Sequence, residues 1–132
     1  MDNILEIKEG FLNDASSDIV AETAIKILDS KKASDLKLLR IDTKTIIADY
    51  FVICTGNSST QIKTLADEVE YKLGIAGVKD IRLEGSASDD WKVVDCKDVI
   101  IHIFSPDARE FYKLDRLWAD CEEIDIDKIL NS

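Results

Sequence analysis

Asp49-Tyr50-Phe51-Val52-Ile53-Cys54-Thr55-Gly56-Asn57-Ser58-Ser59 is the stretch whose reading settles the architecture. Tyr50 to Thr55 is β-branched, aromatic and apolar on both faces, the pattern of a strand in the middle of a sheet covered on both sides. Gly56-Asn57 ends it, and Ser58 with Gln61 three residues on reads as a capping box opening a long helix. Ile62, Leu65, Ala66, Val69, Leu73 and Ala76 then recur at helical spacing, and Gly77 supplies the stop.

Working outward, an earlier helix starts near Ser16 and Ser17, which offer caps, and carries one apolar stripe of Val20, Ala24, Ile27 and Leu28. Leu36 to Ile41 is a short strand followed by a turn at Asp42-Thr43-Lys44-Thr45. Beyond Gly77, three strands follow in quick succession: Asp80 to Glu84, Trp91 to Asp95, and Val99 to Phe104. Their connections are short enough for hairpins, so this part is an antiparallel meander. A last helix opens at Ser105-Pro106-Asp107, with a cap, a proline at the first helical position and an acid in the first turn. Phe111, Leu114, Leu117 and Trp118 are expected to face the sheet from it. The order α-β-β-α-β-β-β-α gives an α/β (α+β) fold, a mixed five-stranded sheet with helices packed on it.

At 132 residues, with 45% apolar and 33% charged side chains, the chain fills one domain. Residues 1–15 read as a loosely attached N-terminal extension, with Ile4, Leu5, Ile7, Phe11 and Leu12 as a short apolar stripe; 16–118 read as the domain, and 119–132 as a solvated acidic tail. A net charge of −10 argues against a protein that grips nucleic acid directly, because phosphate contact depends on clustered Lys and Arg. The longest apolar runs fall far below the ~20 residues of a membrane span, and no secretory signal is visible. Cys54, Cys96 and Cys121 are odd in number and unpaired by spacing, which suits a reducing, cytoplasmic setting.

Catalytic readings are weak. His102, the single histidine, shares a strand face with Ile100 and Phe104 and reads as a buried, hydrogen-bonded residue; Cys54 reads as core. The cysteines lack the paired spacing of a zinc site. Gly85-Ser86 with Asp89, Asp90 and Asp95 suggests phosphoryl or nucleotidyl transfer with magnesium, yet adjacent Asp89 and Asp90 point to opposite sides of an extended chain. The turn Thr55 to Ser59 resembles an anion-binding turn, although helix capping alone explains Ser58. No cofactor is expected. Trp91 is more telling: it shares a strand face with Val93 and Asp95, opposite Lys92, Val94 and Cys96, and an aromatic anchor beside a carboxylate suits a protein interface.

The run D-Y-F-V-I-C-T-G-N-S-S at 49–59, E-G at 84–85, D-W-K-V-V-D at 90–95, D-V-I-I-H-I-F at 98–104 and R-E-F-Y-K-L-D-R-L-W at 109–118 resembles the ribosomal silencing factor family, also called Iojap. The resemblance runs from about Ser17 to Trp118. It implies a fold related in topology to nucleotidyltransferases without known enzymatic activity. It also implies binding to the large ribosomal subunit through the ribosomal protein numbered fourteen. Joining of the small subunit would thereby be blocked and translation lowered when nutrients are scarce, in the cytoplasm. Carried onto this chain, Trp91 and Tyr112 would be apolar anchors. Glu84, Asp90 and Asp95 would meet basic groups, Arg109 would orient that surface or pair with one of these acids, and Trp118 would pack. The rivals are a metal-dependent nucleotidyltransferase-like enzyme and a general acidic protein-interaction module. A free hairpin edge or the extension 1–15 would be the route to a homodimer.

Overall fold

The computed structural model describes residues 5–85 and 87–131, so Ile4 of the extension and Ser86 of the phosphate-loop reading lie outside the described residues. The elements are α1 (Ser17–Ser30), β1 (Ser34–Arg40), β2 (Tyr50–Thr55), α2 (Ser59–Ala76), β3 (Arg82–Glu84), β4 (Trp91–Asp95), β5 (Val99–Phe104), α3 (Pro106–Tyr112), α4 (Leu114–Leu117), β6 (Glu122–Ile124) and α5 (Ile126–Leu130). The strands form one sheet in the order β3-β4-β5-β2-β1-β6. β2 and β5 run parallel, Tyr50 opposite Val99 and Thr55 opposite Phe104. The remaining neighbours are antiparallel.

β2 lies inside the sheet and is buried from Phe51 to Thr55, as its two-sided apolar pattern requires. The cap of α2 forms as expected: Ser58 Oγ accepts from the Gln61 N–H at 3.0 Å. The Gln61 side chain reaches one residue further back than a capping box requires and accepts from the Asn57 N–H at 2.7 Å. Gly77 ends the helix at φ 112°, in the left-handed region, where a Cβ would also collide with the Asn13 side chain.

The two faces of the sheet are covered unequally. On one, α1 and α2 bury Ala24, Ile27, Leu28, Ile62, Leu65, Val69 and Leu73 against Leu38, Val52, Val94, Ile101 and Ile103. On the other, a smaller core of Leu39, Ile41, Phe51, Ile53 and Phe104 is roofed by Ala108 and Cys121, with Trp91, Leu114 and Trp118 partly buried around it. Its helical cover is only the short α3 and α4, so aromatic side chains remain at the surface there.

The structure corrects four expectations. The sheet has six strands, not five, because residues 122–124 pair with β1, Leu38 opposite Ile124 and Arg40 opposite Glu122. The acidic tail is therefore ordered: Glu122 lies 4.0 Å from Arg40 and Glu123 lies 4.0 Å from Lys37, while Ile129 is buried in the larger core. Residues 5–15 are not loose either. The Gly10 and Leu12 amides donate to the carbonyls of Ile75 and Ala76, and Leu12 is buried. Finally, the last helix is broken at Lys113, which adopts φ 50°. That break leaves Phe111 and Leu117 78% and 74% exposed, with Ala108, Leu114 and Trp118 doing the packing.

Candidate functional site

The open face of the sheet is aromatic because β4 and β5 place their rings in register. Trp91 stands opposite Phe104, and the two rings stack with centroids 4.9 Å apart. Tyr112, at the end of α3, packs on Trp91 at 4.7 Å and is met edge-on by Phe111 at 5.0 Å. Tyr112 is 52% exposed. Trp91, Tyr112 and Phe111 thus make a stepped apolar surface whose inner end is core and whose outer end is in water.

Behind Trp91 lies His102. The indole N–H donates to His102 Nδ1 at 3.2 Å, which fixes the imidazole proton on Nε2. His102 is 7% exposed, packed edge-on against Phe51 at 4.7 Å. Burial lowers its pKa to about 4, so the ring is neutral at physiological pH. Among the described residues its Nε2 has no hydrogen-bond partner. The imidazole is therefore a structural acceptor, as its place on an apolar strand suggested.

The charged residues divide. Arg109 does not pair with Glu84, Asp90 or Asp95. Its Nε and Nη2 hold Asp115 at 3.3 and 2.8 Å, and its Nη1 donates to the Asp35 carbonyl and to Thr55 Oγ1. Arg109 is thereby a brace joining α3, α4, β1 and β2 on the flank of the aromatic surface. Asp90 is a second brace: its carboxylate accepts from Ser105 Oγ at 3.0 Å and its carbonyl accepts from the Ser105 N–H at 2.8 Å, fixing the start of α3 to β4. Asp95 closes the β4–β5 turn by accepting from the Lys97 N–H at 2.8 Å. It shares the Trp91 face but lies four residues along the strand, roughly 13 Å away. Glu84 is exposed on edge strand β3, opposite Val93, between these two ends.

The structure thus gathers Trp91 and Tyr112 in direct contact, sets Glu84 and Asp95 along the same strand face, and gives Asp90 and Arg109 internal partners. His102, Phe111 and Asp115 complete the site. Register could have found His102, since it lies two residues along β5 from Phe104, which faces Trp91, and therefore shares that sheet face. Nothing in the sequence marks the break at Lys113 that exposes Phe111 and brings Asp115 to Arg109.

Among the described residues no three His, Cys, Asp or Glu side chains are placed to hold a metal ion. In the turn after β2, the Asn57 and Gln61 amides are already used within the cap. Cys54 is buried, which pushes its thiol up to about 12 and suits a core residue rather than a nucleophile. Among the described residues no helix is long and apolar enough to cross a membrane.

Comparison with known proteins adds a separate line. Residues 14–132 match the family model described as ribosomal silencing factor during starvation. The chain is 34% identical over 112 residues to the ribosomal silencing factor of Bacillus subtilis, covering 85% of this chain and 95% of that one. It is 30% identical over 98 residues to the mouse mitochondrial assembly of ribosomal large subunit protein 1, covering 72% of this chain and 43% of the relative. A crystal structure from Chromobacterium violaceum superposes with a TM-score of 0.76 at 34% identity, over 79% of this chain and 87% of that one.

Proposed function

The chain belongs to the ribosomal silencing factor family, and from that membership we propose that it binds the large ribosomal subunit through the ribosomal protein numbered fourteen and sterically blocks joining of the small subunit. The observation that carries the reading is the surface of Trp91, Tyr112 and Phe111, an aromatic step left open on the thinly covered face of the sheet. Interfaces draw most of their energy from such anchors, pressed into a partner pocket and ringed by polar residues. Glu84 and Asp95 on the same strand face supply acids for a basic partner, as the net charge of −10 does for encounter. The same charge disfavours rRNA, so a protein patch on the ribosome is the better target. The name of the mouse relative refers to the large subunit, which supports that choice of subunit.

Inhibition then requires volume and no chemistry. A domain of this length is roughly 30 Å across, enough to keep two subunit surfaces apart. The protein would act in the cytoplasm, repressing translation when nutrients are limiting. The free edge of β3 leaves a route to a homodimer, which the stoichiometry on the subunit would report.

The test is reassociation of purified subunits followed by light scattering and gradient sedimentation. Large subunits incubated with excess protein should sediment with it and fail to form whole ribosomes. Replacing Tyr112 by Ala should restore joining. Full joining in the presence of the unaltered protein would sink the reading.

A further inference from the structure

An indole has one hydrogen-bond donor and no acceptor, and in Trp91 that donor is already spent on His102 at 3.2 Å. The pair is costly to keep. His102 is buried with Nε2 unpartnered among the described residues, and an unmatched buried polar group destabilises a fold. A carbon side chain at position 102 would avoid that cost but would leave the Trp91 indole N–H without its acceptor. What the imidazole gives in return is a fixed ring. Trp91 is contacted by Phe104 and Tyr112 and hydrogen-bonded to His102 at its nitrogen, contacts that together restrain the indole. A side chain already ordered loses less freedom when a partner closes over it.

We infer that His102 is a positioning residue for docking: it fixes the Trp91 indole and takes its only donor, so the partner pocket that receives Trp91 is apolar and offers it no hydrogen-bond acceptor. The inference rests on the docking reading above and names the chemistry of the partner at that point. Polar recognition then falls to the Tyr112 hydroxyl and to the acids Glu84 and Asp95, which lie on the same sheet face toward the other end of β4.

The experiment uses the full chain with purified large subunits, comparing the unaltered protein with His102→Leu, His102→Asn and Tyr112→Ala. Asn can place an amide oxygen near the position of Nδ1 and so restore the acceptor; Leu cannot. His102→Leu should weaken binding about tenfold, and His102→Asn should recover most of that loss. His102→Leu should nevertheless melt at about the same temperature, since losing the unmatched Nε2–H offsets leaving the Trp91 indole N–H without its acceptor. A merely structural histidine would not show binding and stability moving apart in this way. A second readout needs no ribosome. In 1H–15N spectra the Trp91 indole N–H should exchange slowly with water, lose that protection in His102→Leu and regain it in His102→Asn. If Tyr112→Ala abolishes binding while His102→Leu binds like the unaltered protein, the inference falls and the docking reading stands. An unprotected Trp91 indole N–H in the unaltered protein would overturn the inference directly. Unchanged binding by both His102→Leu and Tyr112→Ala overturns the two together.

Discussion

Arg109 and Asp115 lie six residues apart in different short helices and meet through two hydrogen bonds, Nε to Oδ1 at 3.3 Å and Nη2 to Oδ2 at 2.8 Å. The left-handed Lys113 between them ends α3 and turns the chain into α4. Lys37 adds a third contact to the same carboxylate at 3.3 Å. Burial pushes the Asp115 carboxyl up, and the Arg109 hydrogen bonds and charge, with Lys37, more than reverse this and hold it below its ordinary range.

Removing this brace should therefore loosen the helices that carry Tyr112. Arg109→Ala should cost about 2 kcal/mol in chemical denaturation, the usual loss for hydrogen bonds to a charged group that is mostly out of water. The pair stabilises the fold above the ordinary aspartate range and is lost as pH falls through the depressed value. Arg109→Ala should thus narrow the stability gap between neutral and acid pH. An unchanged denaturation midpoint at neutral pH would show that the brace is incidental.

Phe111 and Tyr112 are neighbours with different burdens, and their variants should separate docking from folding. Phe111 is far more exposed and touches mainly the edge of Tyr112, so Phe111→Ala should leave stability within about 0.5 kcal/mol. Tyr112→Ala removes a ring contact from Trp91 and should cost about 1 kcal/mol, the middle of the range for loss of an aromatic pair. On large subunits the Tyr112 variant should lose at least tenfold in affinity, as expected of an anchor residue. Equal binding by the unaltered protein and both variants would move the docking surface elsewhere.

His102 predicts a pH dependence whose sign follows from its burial. The native imidazole protonates only near pH 4, whereas the unfolded one protonates near 6.5. Above that upper value both states are neutral and the group contributes nothing. Between the two, the unfolded chain binds a proton that the native state refuses, so stability falls as pH drops, by roughly 3 kcal/mol in all. Below about 4 this loss stops growing. Denaturation midpoints of the unaltered protein and His102→Asn should therefore diverge between pH 7 and 4.5, the variant losing less. Parallel pH profiles would mean that the native imidazole accepts its proton as readily as the unfolded one.

Much of the fold was legible because the decisive residues act locally. β2 carries apolar residues on both faces, and Ser58 and Gln61 close the cap of α2 within one turn, so pattern and structure agree there. The misread parts depend on distant partners. Glu122 and Glu123 look like a solvated run until Arg40 and Lys37, more than eighty positions earlier, arrive beside them. Phe111-Tyr112-Lys113-Leu114 contains no glycine or proline, so nothing local foretells the turn that exposes Phe111. In the proposed site, Trp91 was read from its charged neighbours and its strand face and Tyr112 from the family resemblance, whereas the partners of Arg109 and of the indole N–H depend on tertiary register.

Residues 119–132 offer the sharpest test of the sixth strand. Truncation after Trp118 would strip β6 from β1 and take Cys121 from the smaller core and Ile129 from the larger. Burying one isoleucine side chain contributes about 1.5–3 kcal/mol, so with the lost ladder and the second residue the deficit should reach about 4 kcal/mol. That is most of the stability of a small domain. It would also leave Leu38 and Leu39 on a new sheet edge, open to pairing with other chains, so the shortened protein should aggregate on purification. Two point variants keep the test readable if the truncated chain cannot be handled. Ile129→Ala should cost about 2 kcal/mol, whereas Glu123→Gln, which alters only a 4.0 Å surface ion pair, should cost less than about 0.5. A tail that could be removed with no change in denaturation midpoint would mean that the domain closes on five strands and that β6 contributes nothing to its stability.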